Sequence, residues 1–118
     1  MLSGLRFGLV VEYVQDIAVA RRFYTEILGV AVERENPTFV QFDRFAIASD
    51  APMDDSGEAE LYWFVDDADS AFRSLPPRTD VSLPLTQRPF GRVFGIRDLD
   101  GHVRYVLELA ANRPSRPA

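Results

Sequence analysis

The stretch Arg88-Pro-Phe-Gly-Arg-Val-Phe-Gly-Ile-Arg-Asp-Leu-Asp-Gly-His-Val-Arg-Tyr-Val-Leu-Glu-Leu109 decides the fold. Two apolar runs, Val93–Ile96 and Val103–Leu109, flank Asp98-Leu99-Asp100-Gly101. Asp closes turns by hydrogen-bonding its own backbone, and Gly accepts φ > 0. Strand, Asp-x-Asp-Gly, strand therefore predicts a β-hairpin with a loop longer than two residues. The hairpin needs partners, and the rest of the chain supplies them.

With 118 residues, 47% apolar and 26% charged, the sequence is that of one ordinary globular domain. A chain of this size buries roughly two-thirds of its unfolded surface, which is enough for a core. No apolar run approaches the ~20 residues of a membrane span. The N-terminus lacks a basic region followed by an apolar core, so no signal peptide is expected. There is no cysteine, hence no disulfide framework and no Cys-ligated metal. Cytoplasmic residence is the expectation. The net charge of −5 argues against nucleic-acid binding, which needs a basic stripe. All the basic residues are Arg, which rules out a lysine Schiff base.

Upstream of the hairpin, Phe7–Val14 reads as a strand and Asp16 as the N-cap of a helix over Ile17–Leu28. Ala20, Phe23, Tyr24, Ile27 and Leu28 form one apolar stripe at helical spacing, which should face a sheet. Gly29 is placed to end the helix in left-handed backbone. Val30–Glu33, Thr38–Phe42 and Phe45–Ala48 read as strands. Asp50–Glu58 is polar and punctuated, and reads as a linker. Ala59–Val65 is the next strand and Ala68–Leu75 a short helix ended by Pro76-Pro77. Val81–Leu83 is a short strand, Pro84–Pro89 a loop, and residues 110–118 a tail.

Sliding the chain by 51 residues lays Tyr13-Val14-Gln15-Asp16 on Phe64-Val65-Asp66-Asp67, and Ala20 on Ala71. Each half is a βαβββ unit whose helix covers one face of its own strands, so each needs another unit. The expected fold is α+β: a first module over about residues 7–50, a linker at 51–58, a second module over about 59–109, and a curled mixed sheet around a cavity.

Three motifs in order carry a family resemblance: Val14-Gln15-Asp16 before a helix bearing Phe23-Tyr24 and ending Leu28-Gly29, then Pro89-Phe90-Gly91-Arg92, then Arg97-Asp98-x-Asp100-Gly101 leading to Leu107-Glu108. Together they resemble the vicinal oxygen chelate superfamily of glyoxalases, bleomycin-resistance proteins and dioxygenases. Metal-dependent members hold a divalent ion, and the resemblance maps their ligand positions onto Leu9, Glu60, Tyr105 and the neighbourhood of Ala48 or Ser49. Leucine cannot coordinate, and tyrosine, with an unperturbed pKa near ~10, is a poor ligand. One carboxylate does not make a three- or four-ligand site. No metal and no cofactor are therefore expected. Glu108 has the opposite parity to Tyr105, and His102 lies at the hairpin turn.

Inward parity places Leu9, Val11 and Tyr13 on one cavity face and Glu60, Tyr62 and Phe64 on the other, with Tyr105 beside them; the resemblance adds Phe90 of the Pro89-Phe90-Gly91-Arg92 segment. These eight are the candidate ligand-binding residues. Glu60 is expected either to attract a cationic group or to pair with Arg92, Arg97 or Arg104, because a buried unpaired carboxylate is costly. Glu12 is a second anomaly, expected at a subunit interface or paired with an Arg. The resemblance is closest to the metal-free bleomycin-resistance proteins, which are homodimers that sequester a drug. It implies metal-independent binding of a small aromatic or cationic compound by a homodimer that binds neither nucleic acid nor membrane. The alternative is a lyase, isomerase or dioxygenase with a non-standard ion site.

Overall fold

A computed structural model describes residue 2 and residues 4–110. The expected tail lies outside the described residues apart from Ala110. The secondary structure runs β1 (Arg6–Tyr13), α1 (Ile17–Arg22), β2 (Arg34–Asn36), β3 (Phe39–Gln41), β4 (Phe45–Ala48), β5 (Glu60–Phe64), α2 (Ala68–Arg73), β6 (Val81–Arg88), β7 (Gly91–Arg97) and β8 (Val103–Leu109). This is an α+β fold made of two βαβββ modules. Its contacts divide into two units: residues 9–61, and the described residues up to Gly8 together with those from Tyr62 onward.

In the first module the strand order is β2-β3-β4-β1. β1 runs parallel to β4, with Val11 opposite Ala46 and Tyr13 opposite Ala48, while β2, β3 and β4 are antiparallel neighbours. Asp16 caps α1 by accepting hydrogen bonds from the amides of Ala18 and Val19, both at 3.1 Å. The core under α1 is Val40, Phe42 and Ile47, and Ala20 and Tyr24 pack onto it.

Two expectations fail in this module. The helix does not run as one α-helix to Leu28: from Phe23 to Ile27 it widens into π-helix, closed by the Leu28 amide donating to the Phe23 carbonyl at 3.2 Å. Each residue of a π-turn advances through less rotation than in an α-helix. The apolar stripe therefore leaves the sheet after Tyr24, and Ile27 and Leu28 stay exposed; Phe23, beside Tyr24, is exposed as well. Gly29, at φ 74°, then reverses the chain. The second correction is that Val30–Glu33 is not a strand. Val30 and Val32 fill the core instead, and the ladder begins at Arg34.

In the second module the order is β5-β8-β7-β6. The same hydrogen bond closes both modules: Val14 donates to the Ala48 carbonyl at 2.8 Å, and Val65 to the Leu107 carbonyl at 3.0 Å. Asp67 caps α2 through the Ser70 amide. Val65, Ala68, Ala71, Phe94 and Val106 form the core beneath that helix. The expected β7–β8 hairpin is present, pairing Val93 with Leu107 and Gly95 with Tyr105. In its turn the Asp98 carboxylate accepts from the amides of His102 at 2.9 Å and Asp100 at 3.0 Å. The His102 amide, chiefly, holds the Asp98 pKa below the usual carboxylate value.

The segment Pro84–Arg88, expected as a loop, is strand. β6 extends to Arg88 with irregularities on both sides of Leu83. It lies at the end of its strand order, and there Pro84 removes no ladder bond from a central strand. Gly91 begins β7 at φ 147°, and a Cβ there would be driven into the Glu108 carbonyl oxygen.

Candidate functional site

The expected site residues fall into two places, one in the unit of residues 9–61 and one in the other unit. In the first, Leu9 and Val11 are buried on β1, and Tyr13 is half-buried at its end. Glu60 is only 3% exposed and is hydrogen-bonded through both carboxylate oxygens. The Tyr13 hydroxyl donates to Glu60 Oε1 at 2.9 Å, and the consecutive amides of Met53 and Asp54 donate to Oε2 at 2.8 and 3.2 Å. A buried carboxylate persists when its lone pairs are filled, and bonds to an ionised acceptor are the strong ones. Glu60 is thus a strut that ties the 50–58 linker to the end of β1.

The arginines expected to neutralise Glu60 go elsewhere. Arg92 pairs with Asp69 at 2.9 Å, Arg97 with Asp80 at 2.8 Å and Arg104 with Asp98 at 3.5 Å. Glu12 pairs with no arginine among the described residues: the Tyr24 hydroxyl donates to it at 2.7 Å. That hydrogen bond, helped by burial and by the Glu12 charge, pushes the Tyr24 pKa up to about 12. The signal for this pair lay in two anomalies, a carboxylate in an apolar strand and a phenol in an apolar stripe, with both polar tips on the helix side of the sheet.

In the second module, Tyr62 and Tyr105 lie side by side with ring centroids 5.2 Å apart and planes within 24°. They are 5% and 2% exposed. Tyr105 sits opposite Gly95, whose missing side chain leaves room for the ring: a Cβ there would stand 3.2 Å from Tyr105 Cε1 and 2.7 Å from Ser82 Oγ. Ser82 Oγ is itself buried with no hydrogen-bond partner among the described residues. Sequence reasoning missed Ser82, because the irregular register of β6 hides which face it serves. The half-buried Phe64 ring lies over Gly8, where a Cβ would meet Phe64 Cε1 at 2.6 Å. Phe90 is 41% exposed at the tip of the β6–β7 hairpin. It is five residues from Gly95, or ~16 Å at strand rise, so the structure does not bring it to the tyrosine pair. Glu108 turns the other way from Tyr105, accepting from the Ala68 amide at the start of α2 at 3.0 Å.

The divalent ion of the metal-dependent superfamily members does not fit these residues. Of the three mapped positions fixed to a single residue, Leu9 offers no donor, Tyr105 offers a phenol, and the Glu60 carboxylate is already bound by Tyr13, Met53 and Asp54. Among the described residues no three His, Cys, Asp or Glu side chains come together.

No family model matches the sequence, and no curated protein matches it. Solved structures do. The structure of NAD-dependent benzaldehyde dehydrogenase from Legionella pneumophila is similar with TM-score 0.67 and 25% identity, covering 86% of this chain and 97% of that one. A glyoxalase/bleomycin resistance protein/dioxygenase superfamily member from Vibrio splendidus is similar with TM-score 0.66 and 19% identity, at the same coverage of 86% and 97%. Homoprotocatechuate 2,3-dioxygenase from Brevibacterium fuscum is similar with TM-score 0.54 and 18% identity over 92% of this chain, which spans 33% of that enzyme. The chain has the fold of the vicinal oxygen chelate superfamily.

Proposed function

We propose that this chain binds and sequesters a small aromatic compound without a metal ion, as a cytoplasmic homodimer of the bleomycin-resistance type. The observation that carries the reading is the Ser82 hydroxyl, buried without a partner beside the Tyr62–Tyr105 stack. A buried hydroxyl lacking a hydrogen bond costs on the order of 1–3 kcal/mol, which a ligand group can recover. Offset aromatic contacts add about 0.5–1.5 kcal/mol each. The matching ligand is a planar ring with one hydrogen-bonding substituent, such as a phenol or an aryl amide. Both tyrosines are buried, so an entering ring exchanges the tyrosine–tyrosine stack for tyrosine–ligand stacks. No helix of the described residues is long and apolar enough to cross a membrane.

A thermal-shift screen of planar phenols and aryl amides tests this reading. A ligand at 100 times its Kd adds about 2.7 kcal/mol of stability. The shift should survive excess EDTA and vanish in Tyr105→Ala. A shift that disappears with EDTA and returns with Zn, Mn or Fe supports the enzymatic alternative.

A further inference from the structure

The first module leaves an apolar ridge open to water. Val19, Phe23, Ile27 and Leu28 are 53%, 46%, 72% and 56% exposed. Val19, Phe23 and Ile27 recur every four residues along one side of α1 and its π-helical continuation. A single exposed apolar side chain needs no explanation. A contiguous set of a few hundred Å² is the size at which surface patches become interaction sites. The fold does not use this ridge, because its own core takes Ala20 and Tyr24 from the other side of the helix.

We infer that the ridge is the dimer contact, with α1 of two copies packed antiparallel about a two-fold axis near Phe23. This rests on the homodimer reading above and adds the surface that makes it. The flanking charges select a second copy as the occupant. Arg22 and Glu26 are exposed and stand one residue before Phe23 and Ile27. Neither has an ion-pair partner among the described residues, whereas the neighbouring Arg21 is held by Glu35 at 2.7 Å. A two-fold contact must be self-complementary. Antiparallel packing about this centre brings Arg22 of each copy towards Glu26 of the other, so both charges are matched twice. A parallel pair would oppose like charges, and a partner of uniform charge would match only one of the two. The ridge and its charged rim, counted on both copies, come to on the order of 1,000 Å², the lower bound for a specific interface.

Light scattering of the whole chain across a concentration series tests the inference. The expected mass is twice the 13.3 kDa of the monomer. Ile27→Arg, and separately Val19→Arg in the α-helical part, should give folded monomers with one cooperative melt whose midpoint no longer rises with protein concentration, as that of the dimeric wild type should. Arg22→Glu or Glu26→Arg alone should weaken the dimer about tenfold or more, and the double exchange should restore it. A wild-type dimer that survives Ile27→Arg, or single exchanges that the double does not rescue, overturns the α1 contact and leaves the homodimer reading standing. A wild-type monomer throughout the series overturns both.

Discussion

Replacing Glu60 by Ala removes the acceptor for three donors at once, the Tyr13 hydroxyl and the amides of Met53 and Asp54. Hydrogen bonds to an ionised group contribute about 1.5–3 kcal/mol each. The three are not additive, because they share one carboxylate. The two amides lie in a linker that can open and rehydrate, so most of their loss is recovered from water. The Tyr13 hydroxyl is half-buried and recovers less. The net cost should be about 2–4 kcal/mol. At about 4 °C per kcal/mol for a chain of this size, the melting temperature falls by roughly 8–16 °C. Glu60→Gln keeps one acceptor oxygen and should cost about half as much. Chemical denaturation gives the free energies, and hydrogen exchange gives the location: the Met53 and Asp54 amides should lose protection before any strand does. A Glu60→Ala protein that melts within a degree of wild type would refute the strut and restore Glu60 as a candidate ligand contact.

Gly91→Ala drives a methyl group into the Glu108 carbonyl at positive φ and should cost more than about 3 kcal/mol in denaturant melts. Tyr24→Phe leaves Glu12 without its donor and should cost about 1–2 kcal/mol. In ultraviolet titration the wild type should show a phenol with a pKa of about 12 that the variant lacks. Because folding raises that pKa, the stabilisation from Tyr24 is complete below the ordinary phenol value near 10.0 and is lost as pH rises from there through about 12. Asp98 has the opposite sign: its lowered pKa contributes stability above the ordinary carboxylate value near 3.8, lost as pH falls below it. The protection factors of the Asp100 and His102 amides, corrected for the intrinsic pH dependence of exchange, should therefore fall on acidification, and Asp98→Asn should flatten that dependence.

The parts of the fold legible in the sequence are those written in local chemistry. Asp98, Asp100 and Gly101 announce the β7–β8 turn, Asp16 caps its helix, and the 51-residue shift exposes the repeat that ends in matching hydrogen bonds at Val14 and Val65. What was illegible depends on backbone choices without a residue signature. A π-turn has no composition of its own, so Ile27 and Leu28 read as core and lie exposed. Pro84 reads as a loop residue until β6 is known to be an edge. The anomaly of Glu60 was visible, but two of its hydrogen-bond partners are backbone amides, which every residue except proline carries. The pairing of Tyr62 with Tyr105 followed from strand parity, whereas Ser82 required the actual register.

The most direct test of the proposed function is an NMR titration of isotope-labelled protein with 2-naphthol, a planar phenol, in the presence and absence of EDTA. The account predicts saturable shifts concentrated at Ser82, Val93, Gly95, Tyr105 and Leu107, the same with and without chelator. Shifts confined to other residues, or shifts that EDTA abolishes and an added divalent ion restores, would contradict it.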